Sequence, residues 1–144
     1  MEDETLKRNN QFPLSMRIIM AILSSFSLVI IIYFISARFN GIEAEMDLPG
    51  WPYKPFSLIP VLASTLVMIS IGAVVFLLLR MNTTAWLKSF NIIAMVVLVL
   101  AFIATLTIAD VGVETLITLN LMHIAVAACT IYFFSYFNKN IKEN

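Results

Sequence analysis

The sequence predicts an all-α integral membrane protein, a four-helix bundle that runs up-down-up-down with both termini cytoplasmic. Four separate runs of about twenty apolar residues fill most of the chain, and each run is long enough to cross the hydrocarbon core of a bilayer. The runs lack the alternation typical of barrel strands, so helices are the structure that satisfies the backbone within lipid. Composition agrees, because 60% of residues are hydrophobic, 12% are charged and the mean hydropathy is +0.93.

The first predicted span covers residues 15–36. Pro13 precedes it, and Ser15 could cap its first turn. Basic residues ahead of an apolar stretch are also compatible with a cleaved signal peptide. The apolar run from Ile18 to Ile35 is longer than the apolar region of such a peptide, and no A-x-A site follows it. We therefore expect this span to remain in the mature protein.

The other three spans are predicted over residues 57–79, 87–109 and 115–136. Ser57 is a candidate N-cap of the second span, and Pro60 falls in its first turn, where a helix tolerates proline. The hairpin between the third and fourth spans is too short for anything but antiparallel neighbours. Each span has about 22 residues, or about 33 Å of helix, which is enough to cross the hydrocarbon with modest tilt.

The orientation follows from the basic residues, because Lys and Arg are retained on the cytoplasmic side of a membrane. Seven of the nine Lys and Arg residues fall in the two tails, the entrance of the first span and the middle loop, on one side of the predicted bundle. These seven are Lys7, Arg8, Arg17, Arg80, Lys88, Lys139 and Lys142. The opposite side carries only Arg38 and Lys54, so both termini are predicted to be cytoplasmic.

The external loop, residues 38–55, is the one sizeable segment predicted outside the bilayer. Its Trp51 and Tyr53 are expected at the headgroup level as an interfacial anchor. The alternative is a lid or a partner-binding loop, since loops often carry function. No repeat, low-complexity tract or linker indicates a second domain, so residues 1–144 are predicted to form one transmembrane domain.

Small and polar residues indicate which helix faces point inward, because helices in lipid associate through close approach and interhelical hydrogen bonds. Such residues recur at helical spacing in the first three spans. They are Ala21 and Ser25 in the first, Ser64, Ser70 and Ala73 in the second, and Ala94, Ala101, Thr105 and Ala109 in the third. Ordinary bundle packing is sufficient to explain all of them.

His123 is the titratable side chain that lies well inside a span, about 12 Å from the external end of the fourth helix. Asn120 and Thr130 share its side of the helix, so a polar seam results. Two interpretations are open. A neutral His123 could bond a hydroxyl such as Thr105 or Ser64 and hold the bundle in register, or it could belong to a polar pocket or a proton-linked step. Asn91 would lie nearer the cytoplasmic side.

Several chemistries are disfavoured by the residues that are missing. One histidine cannot supply the paired axial ligands of an interhelical haem, and it also excludes an HExxH zinc motif. The single cysteine, Cys129, excludes an internal disulfide and a CxxC motif. Every Asp and Glu lies in a tail or loop, and no nucleophile elbow or glycine-rich phosphate loop is present. We therefore predict no cofactor, no metal site and no catalytic residue.

The layout from Pro13 to Phe134 resembles a group of small bacterial four-helix integral membrane proteins of unknown function. The resemblance consists of a first helix, a polar external loop, a proline-bearing second helix with Pro60, a basic turn, and a last helix with Leu121-Met122-His123 followed by small residues. It implies a multi-pass location in the bacterial plasma (inner) membrane. It implies no activity.

The leading functional hypothesis is a non-enzymatic accessory protein that acts through helix contacts with itself or with a membrane partner. The alternative is a binding or transport module in which the seam around His123 admits a small ligand. A third hypothesis, a lipid-modifying enzyme with His123 as base, lacks a second catalytic group nearby. The expected surroundings are the lipid bilayer and a homo-oligomer or protein partner. Balanced charge gives no indication of nucleic acid binding.

Overall fold

The computed structural model describes residues 13–39, 57–107 and 112–136. Within these ranges the chain is helical and contains no strand. The prediction of an all-α protein with four apolar helices is confirmed. Most of the predicted external loop, including Trp51 and Tyr53, lies outside the described residues, so its role as an anchor or lid stays a prediction.

Four α-helices and one π-helical turn make up the described part of the chain. They are α1 (Leu14–Arg38), α2 (Leu58–Asn82), α3 (Trp86–Leu106), α4 (Val113–Ile131) and the π-helical turn Tyr132–Tyr136, which continues α4. All four helices, α4 together with part of its π-helical turn, are long and apolar enough to cross a membrane. A rise of about 1.5 Å per residue gives the 21-residue α3 about 32 Å, close to the hydrocarbon thickness.

The helix starts differ in detail from the expected caps. Ser57 occupies the N-cap position of α2, but its side chain makes no capping hydrogen bond. Ser15 lies inside α1, whose N-cap position is Pro13. Proline fixes an extended backbone before the helix, and it has no N–H to satisfy. The first helical turns are therefore set by the backbone conformation of these residues, without side-chain caps.

The four helices form a ring in which each contacts its neighbours in the sequence and α1 also contacts α4. The α1–α4 contact is the most extensive, and α2 and α4 touch only weakly across the ring. On α1 the buried residues Ala21, Ser25 and Val29 recur every fourth position, so they form one stripe that faces the bundle interior. Ser25 lies beside the Cys129 thiol of α4. Small residues thus allow α1 and α4 to approach closely.

Four rings close the end of the bundle where α2 turns into α3, and they form what we call the aromatic cluster: Phe76, Trp86, Phe90 and Phe134. Phe76 contacts the other three rings, with centroid distances of 5.1 Å to Trp86, 5.4 Å to Phe90 and 5.1 Å to Phe134. Edge-on and tilted contacts of this kind are the favourable geometries for aromatic pairs. The cluster therefore joins α2, α3 and the π-helical turn at this end.

Candidate functional site

A cavity of about 370 Å³ lies between α2, α3 and α4, and we call it the cleft. It extends along the bundle from Val75 and Phe90, at the aromatic cluster, to Val61 and Ala101 toward the other end. Its volume is at the low end of the range of about 300–1,000 Å³ found for small-molecule sites. Binding pockets between the helices of a bundle are a common arrangement, so the cleft is the best candidate for a functional site.

Small residues create this space. Ala94 and Ala101, seven positions apart on one face of α3, line the cleft together with Ala127 of α4. On α2, Gly72 lines it, and a Cβ added there would lie 3.4 Å from the Cγ2 atom of Thr130. The backbone of α2 therefore comes close to α4 at Gly72, while short side chains leave room on either side of this contact.

The cleft opens toward the outside of the bundle between α2 and α3. Four large side chains at its edge are both part of its lining and solvent-exposed: Met68, Ile71, Ile93 and Val97 are 38–54% exposed. The floor is formed by buried residues such as Met122, which is 5% exposed. In a membrane the open side would face lipid. A molecule dissolved in the bilayer could therefore enter without passing through water.

Four polar side chains line the cleft, namely Ser64, Thr65, His123 and Thr130. Each is hydrogen-bonded to a backbone carbonyl of its own helix. Ser64 Oγ and Thr65 Oγ1 both donate to the carbonyl of Val61 at 2.8 Å. Thr130 Oγ1 donates to the carbonyl of Val126 at 2.8 Å.

His123 has one ring nitrogen committed to its own helix. Its Nδ1 atom lies 2.7 Å from the carbonyl oxygen of Leu119. Because a carbonyl only accepts, Nδ1 must carry the hydrogen, and in the neutral ring Nε2 is then an acceptor. Within the described part of the chain, no hydrogen bond joins His123 to Thr105 or Ser64, the partners considered from the sequence. The bond to Leu119 therefore leaves Nε2 available to a ligand.

The structure separates the five residues of the predicted polar pocket into two groups. His123, Thr130 and Ser64 line the cleft. Thr105 and Asn120 pair with each other at the contact of α3 and α4, where Thr105 Oγ1 lies 2.8 Å from Asn120 Oδ1. The same hydroxyl lies 2.8 Å from the carbonyl of Phe102. Asn120 and Thr105 therefore fasten two helices together beside the cleft.

Two further polar residues of the spans, Asn91 and Ser70, have their hydrogen-bond partners outside the cleft. Asn91 Oδ1 accepts a hydrogen bond from Ser135 Oγ at 2.7 Å, which links α3 to the π-helical turn. Ser70, expected on an inward face, is instead exposed and donates to the carbonyl of Leu66 on its own helix. A serine can satisfy its hydroxyl within its own helix in this way, so its presence does not identify the inward face.

Thr65 and Gly72 also line the cleft, and neither was predicted from the sequence. Thr65 is 6% exposed and belongs to the buried face of α2, whose other members are Ile69, Ala73 and Phe76. Apolar residues occur all around this helix, so no amphipathic pattern distinguishes the buried face from the face toward lipid. Thr65, Ile69 and Ala73 are spaced four residues apart, and this spacing was the one feature of the sequence that could have indicated the buried face of α2.

The cleft offers little for acid-base or metal chemistry. His123 is the one titratable side chain among the described residues that line it. Over residues 13–39, 57–107 and 112–136, no group of three or more His, Cys, Asp or Glu side chains could hold a metal ion. The arrangement is suited to noncovalent binding of an apolar molecule, with a few polar atoms to orient it.

Comparison with known families places the chain in a family without an assigned activity. The family model described as "Family of unknown function (DUF6069)" matches residues 11–140, and the chain belongs to this family. No curated protein matches the chain, and no solved structure does. Membership covers both the cleft and the aromatic cluster, but it assigns no activity to either.

Proposed function

We propose that this multi-pass membrane protein, a member of a family of unknown function, is a non-enzymatic module that binds a small apolar ligand drawn from the bilayer. The observation that carries the proposal is the cleft of about 370 Å³ between α2, α3 and α4, with exposed apolar side chains at its edge. Binding in the cleft would bury apolar surface of the ligand and give it dense contacts with the helices. Transport is the extension of this proposal in which the same ligand leaves on the other side.

The position of the cleft across the bilayer supports entry of the ligand from the lipid. His123 is ten residues along α4 from Val113, or about 15 Å from the start of that helix. That distance is half of a hydrocarbon core of about 30 Å. His123 and the part of the cleft beside it are therefore expected near the middle of the bilayer, within reach of ligands dissolved in the hydrocarbon.

The lack of a second reactive group supports a binding role over catalysis. General acid-base or nucleophilic catalysis needs a second group within hydrogen-bond reach of the base, to act as nucleophile or to orient the base. The side chains around His123 in the cleft are apolar residues, hydroxyls and glycine, and the hydroxyls are already bonded to backbone carbonyls. A lipid-modifying reaction with His123 as base therefore has no partner group among the described lining residues.

The proposal includes the up-down topology with both termini in the cytoplasm of a bacterial cell. Arg17, near the start of α1, is close enough to Arg80, near the end of α2, for their charges to interact. Thr118, near the start of α4, bonds Ser36, near the end of α1. Both pairs join the start of one helix to the end of another, as antiparallel neighbours would. The distribution of Lys and Arg supports the cytoplasmic placement.

The test is photolabelling of the full chain in lipid nanodiscs with an adamantane diazirine, followed by mapping of labelled peptides. We expect saturable labelling on the cleft-lining parts of α2, α3 and α4. Ala101→Phe should fill the cleft and abolish it, because Ala101 lines the cavity. Ala104→Phe is the matched control, since Ala104 is exposed on the same helix and does not line the cleft. Equal, non-saturable labelling of all three proteins would refute ligand binding in the cleft.

An accessory role through helix contacts is the second candidate, and the Asn120 amide favours it. One end of this amide is joined to Thr105, and among the described residues no hydrogen bond is found for its other end. Amide side chains within the bilayer promote helix association because they find partners across an interface. If this role is correct, Asn120→Leu should reduce cross-linking of the protein to itself or to a membrane partner, while Leu121→Ala, at an exposed neighbouring position, should not.

A further inference from the structure

The cleft presents hydrogen-bond acceptors and no free side-chain donor among its described residues. Every polar side chain that lines it has given its hydrogen to a backbone carbonyl: Ser64 and Thr65 to Val61, His123 to Leu119 and Thr130 to Val126. The hydroxyl oxygens keep lone pairs, and the neutral imidazole keeps Nε2 as an acceptor. The backbone N–H groups in the middle of these helices are taken up by the helices themselves.

From this pattern we infer that the cleft selects neutral ligands that carry a hydrogen-bond donor, of the class of lipid-soluble alcohols, over ethers and esters of the same shape. The inference rests on the proposed function and specifies its ligand class. An ether or ester offers only acceptors, so it would leave the acceptors of the cleft unmatched. An alcohol of equal size would donate its hydroxyl hydrogen to one of them.

His123 is expected to receive that hydrogen. Its Nε2 is an imidazole nitrogen, and donation of the Nδ1 hydrogen to the carbonyl of Leu119 makes the other nitrogen a better acceptor. The ring is also fixed in orientation by that bond. The hydroxyls of Thr65 and Thr130 are weaker acceptors, and both residues are largely buried, at 6% and 8% exposure.

Charge excludes another class of ligand. Among the described residues that line the cleft there is no Asp, Glu, Lys or Arg. A cationic or anionic headgroup placed there would therefore lose its hydration without gaining a counter-ion from these residues. A ligand with a charged headgroup would have to keep that group outside the cleft. The ligand is therefore neutral at the end that His123 contacts.

The experiment is competition against the adamantane diazirine label by two unlabelled molecules, 1-adamantanemethanol and its methyl ether. Both are neutral and share one apolar cage, and their concentrations in the nanodisc lipid are measured and corrected for. One net hydrogen bond is worth roughly 3- to 10-fold in affinity. We expect the alcohol to compete about 3- to 10-fold better than the ether for labelling of the wild-type cleft.

Two variants locate the acceptor. His123→Leu should bring the alcohol and the ether to within about 2-fold of each other, because the strongest acceptor is gone. Ser70→Ala is the control, since Ser70 is an exposed serine that bonds its own helix and does not line the cleft. It should leave the alcohol preference unchanged.

The outcomes separate this inference from the proposed function. Saturable labelling of the cleft with equal competition by alcohol and ether in the wild-type protein overturns the selection of donors and leaves ligand binding intact. Absence of saturable labelling overturns both. The wild-type comparison needs no substitution, so it decides the question even if His123→Leu fails to fold. A preference for the alcohol that survives in a folded His123→Leu protein rejects His123 as the acceptor.

Discussion

The two sides of the bundle use small residues in opposite ways. Where α1 packs against the rest of the bundle, Ala21 and Ser25 are fully buried, and α1 makes its most extensive contact with α4. Between α2 and α3, Ala94 and Ala101 remain half-exposed and line a cleft. The same residue type allows close approach where a neighbouring backbone fills the space, and it leaves a cavity where no backbone does. The structure thus has a closed side and an open side.

The largest effect is expected where the open side is held together, in the aromatic cluster. Phe134 is fully buried and contacts the rings of Phe76 and Phe90. Phe134→Ala should lower the free energy of unfolding by about 3–5 kcal/mol, since a cavity replaces dense ring contacts. Unfolding in mixed detergent followed by circular dichroism measures this. Phe39→Ala, at a position that is 76% exposed, is the control and should cost much less.

A loss for Phe134→Ala no larger than that for Phe39→Ala would show that the aromatic cluster does not hold α2, α3 and the π-helical turn together. Other contacts would then have to hold the helices of the open side in place.

The same Ala→Leu change on the two sides tests the comparison directly. Ala21→Leu should destabilise the protein by about 1–3 kcal/mol, because Ala21 is fully buried and extra methyl groups overpack the closed side. Ala101→Leu should cost less than about 0.5 kcal/mol, because the cleft can accept the larger side chain. The unfolding free energies of the two variants are compared in one detergent system. Equal losses would contradict the distinction between the sides.

A smaller effect is expected from the hydrogen bond across the closed side. Thr118 Oγ1 lies 2.9 Å from Ser36 Oγ, so Thr118→Val breaks a contact between α4 and α1. Interhelical hydrogen bonds in membranes average about 0.6 kcal/mol, and a loss of that size is expected. Thr107→Val is matched to it, because Thr107 is exposed and bonds the carbonyl of Ala104 nearby. If Thr107→Val lowered the unfolding free energy more than Thr118→Val does, the bond between Thr118 and Ser36 would not be the cause of the destabilisation.

The smallest effect is expected at the floor of the cleft. A Cβ at Gly72 would meet Thr130 Cγ2 at 3.4 Å, which is an ordinary van der Waals contact. Gly72→Ala also restricts the unfolded chain and favours the helix. Its unfolding free energy should therefore change by no more than about 0.5 kcal/mol. A loss above about 1 kcal/mol would mean that α2 and α4 approach each other more closely than this contact allows.

The four helices could be predicted from the length of the apolar runs, because a run of about twenty apolar residues satisfies its backbone hydrogen bonds in lipid by forming a helix. The faces of the helices were harder to predict. Ala21 and Ala101 look alike in the sequence, yet one is buried and the other lines the cleft. Lipid is as apolar as a helix interface, so hydropathy carries no information on which of them meets a neighbour.

His123, Thr130 and Ser64 could be selected from the sequence because polar atoms are rare within the spans. Their common placement in one cleft depends on how each helix is rotated about its axis, which the sequence does not specify. Asn120 is an example. It lies three residues from His123 on the same helix, yet it pairs with Thr105 outside the cleft. Helical spacing alone does not distinguish a residue that faces a cavity from one that faces the adjacent helix.

The most direct test of the open side is the oxygen accessibility of spin labels in a lipid bilayer, measured by electron paramagnetic resonance. The chain has one cysteine, Cys129, so single-cysteine labels can be placed at Ala101 and Ala104 in a Cys129→Ala background. We predict that lipid-dissolved oxygen reaches the label at 101 nearly as well as the label at 104, because both positions would be in contact with the bilayer. An immobile label at 101 that oxygen cannot reach would contradict a cleft open to the bilayer.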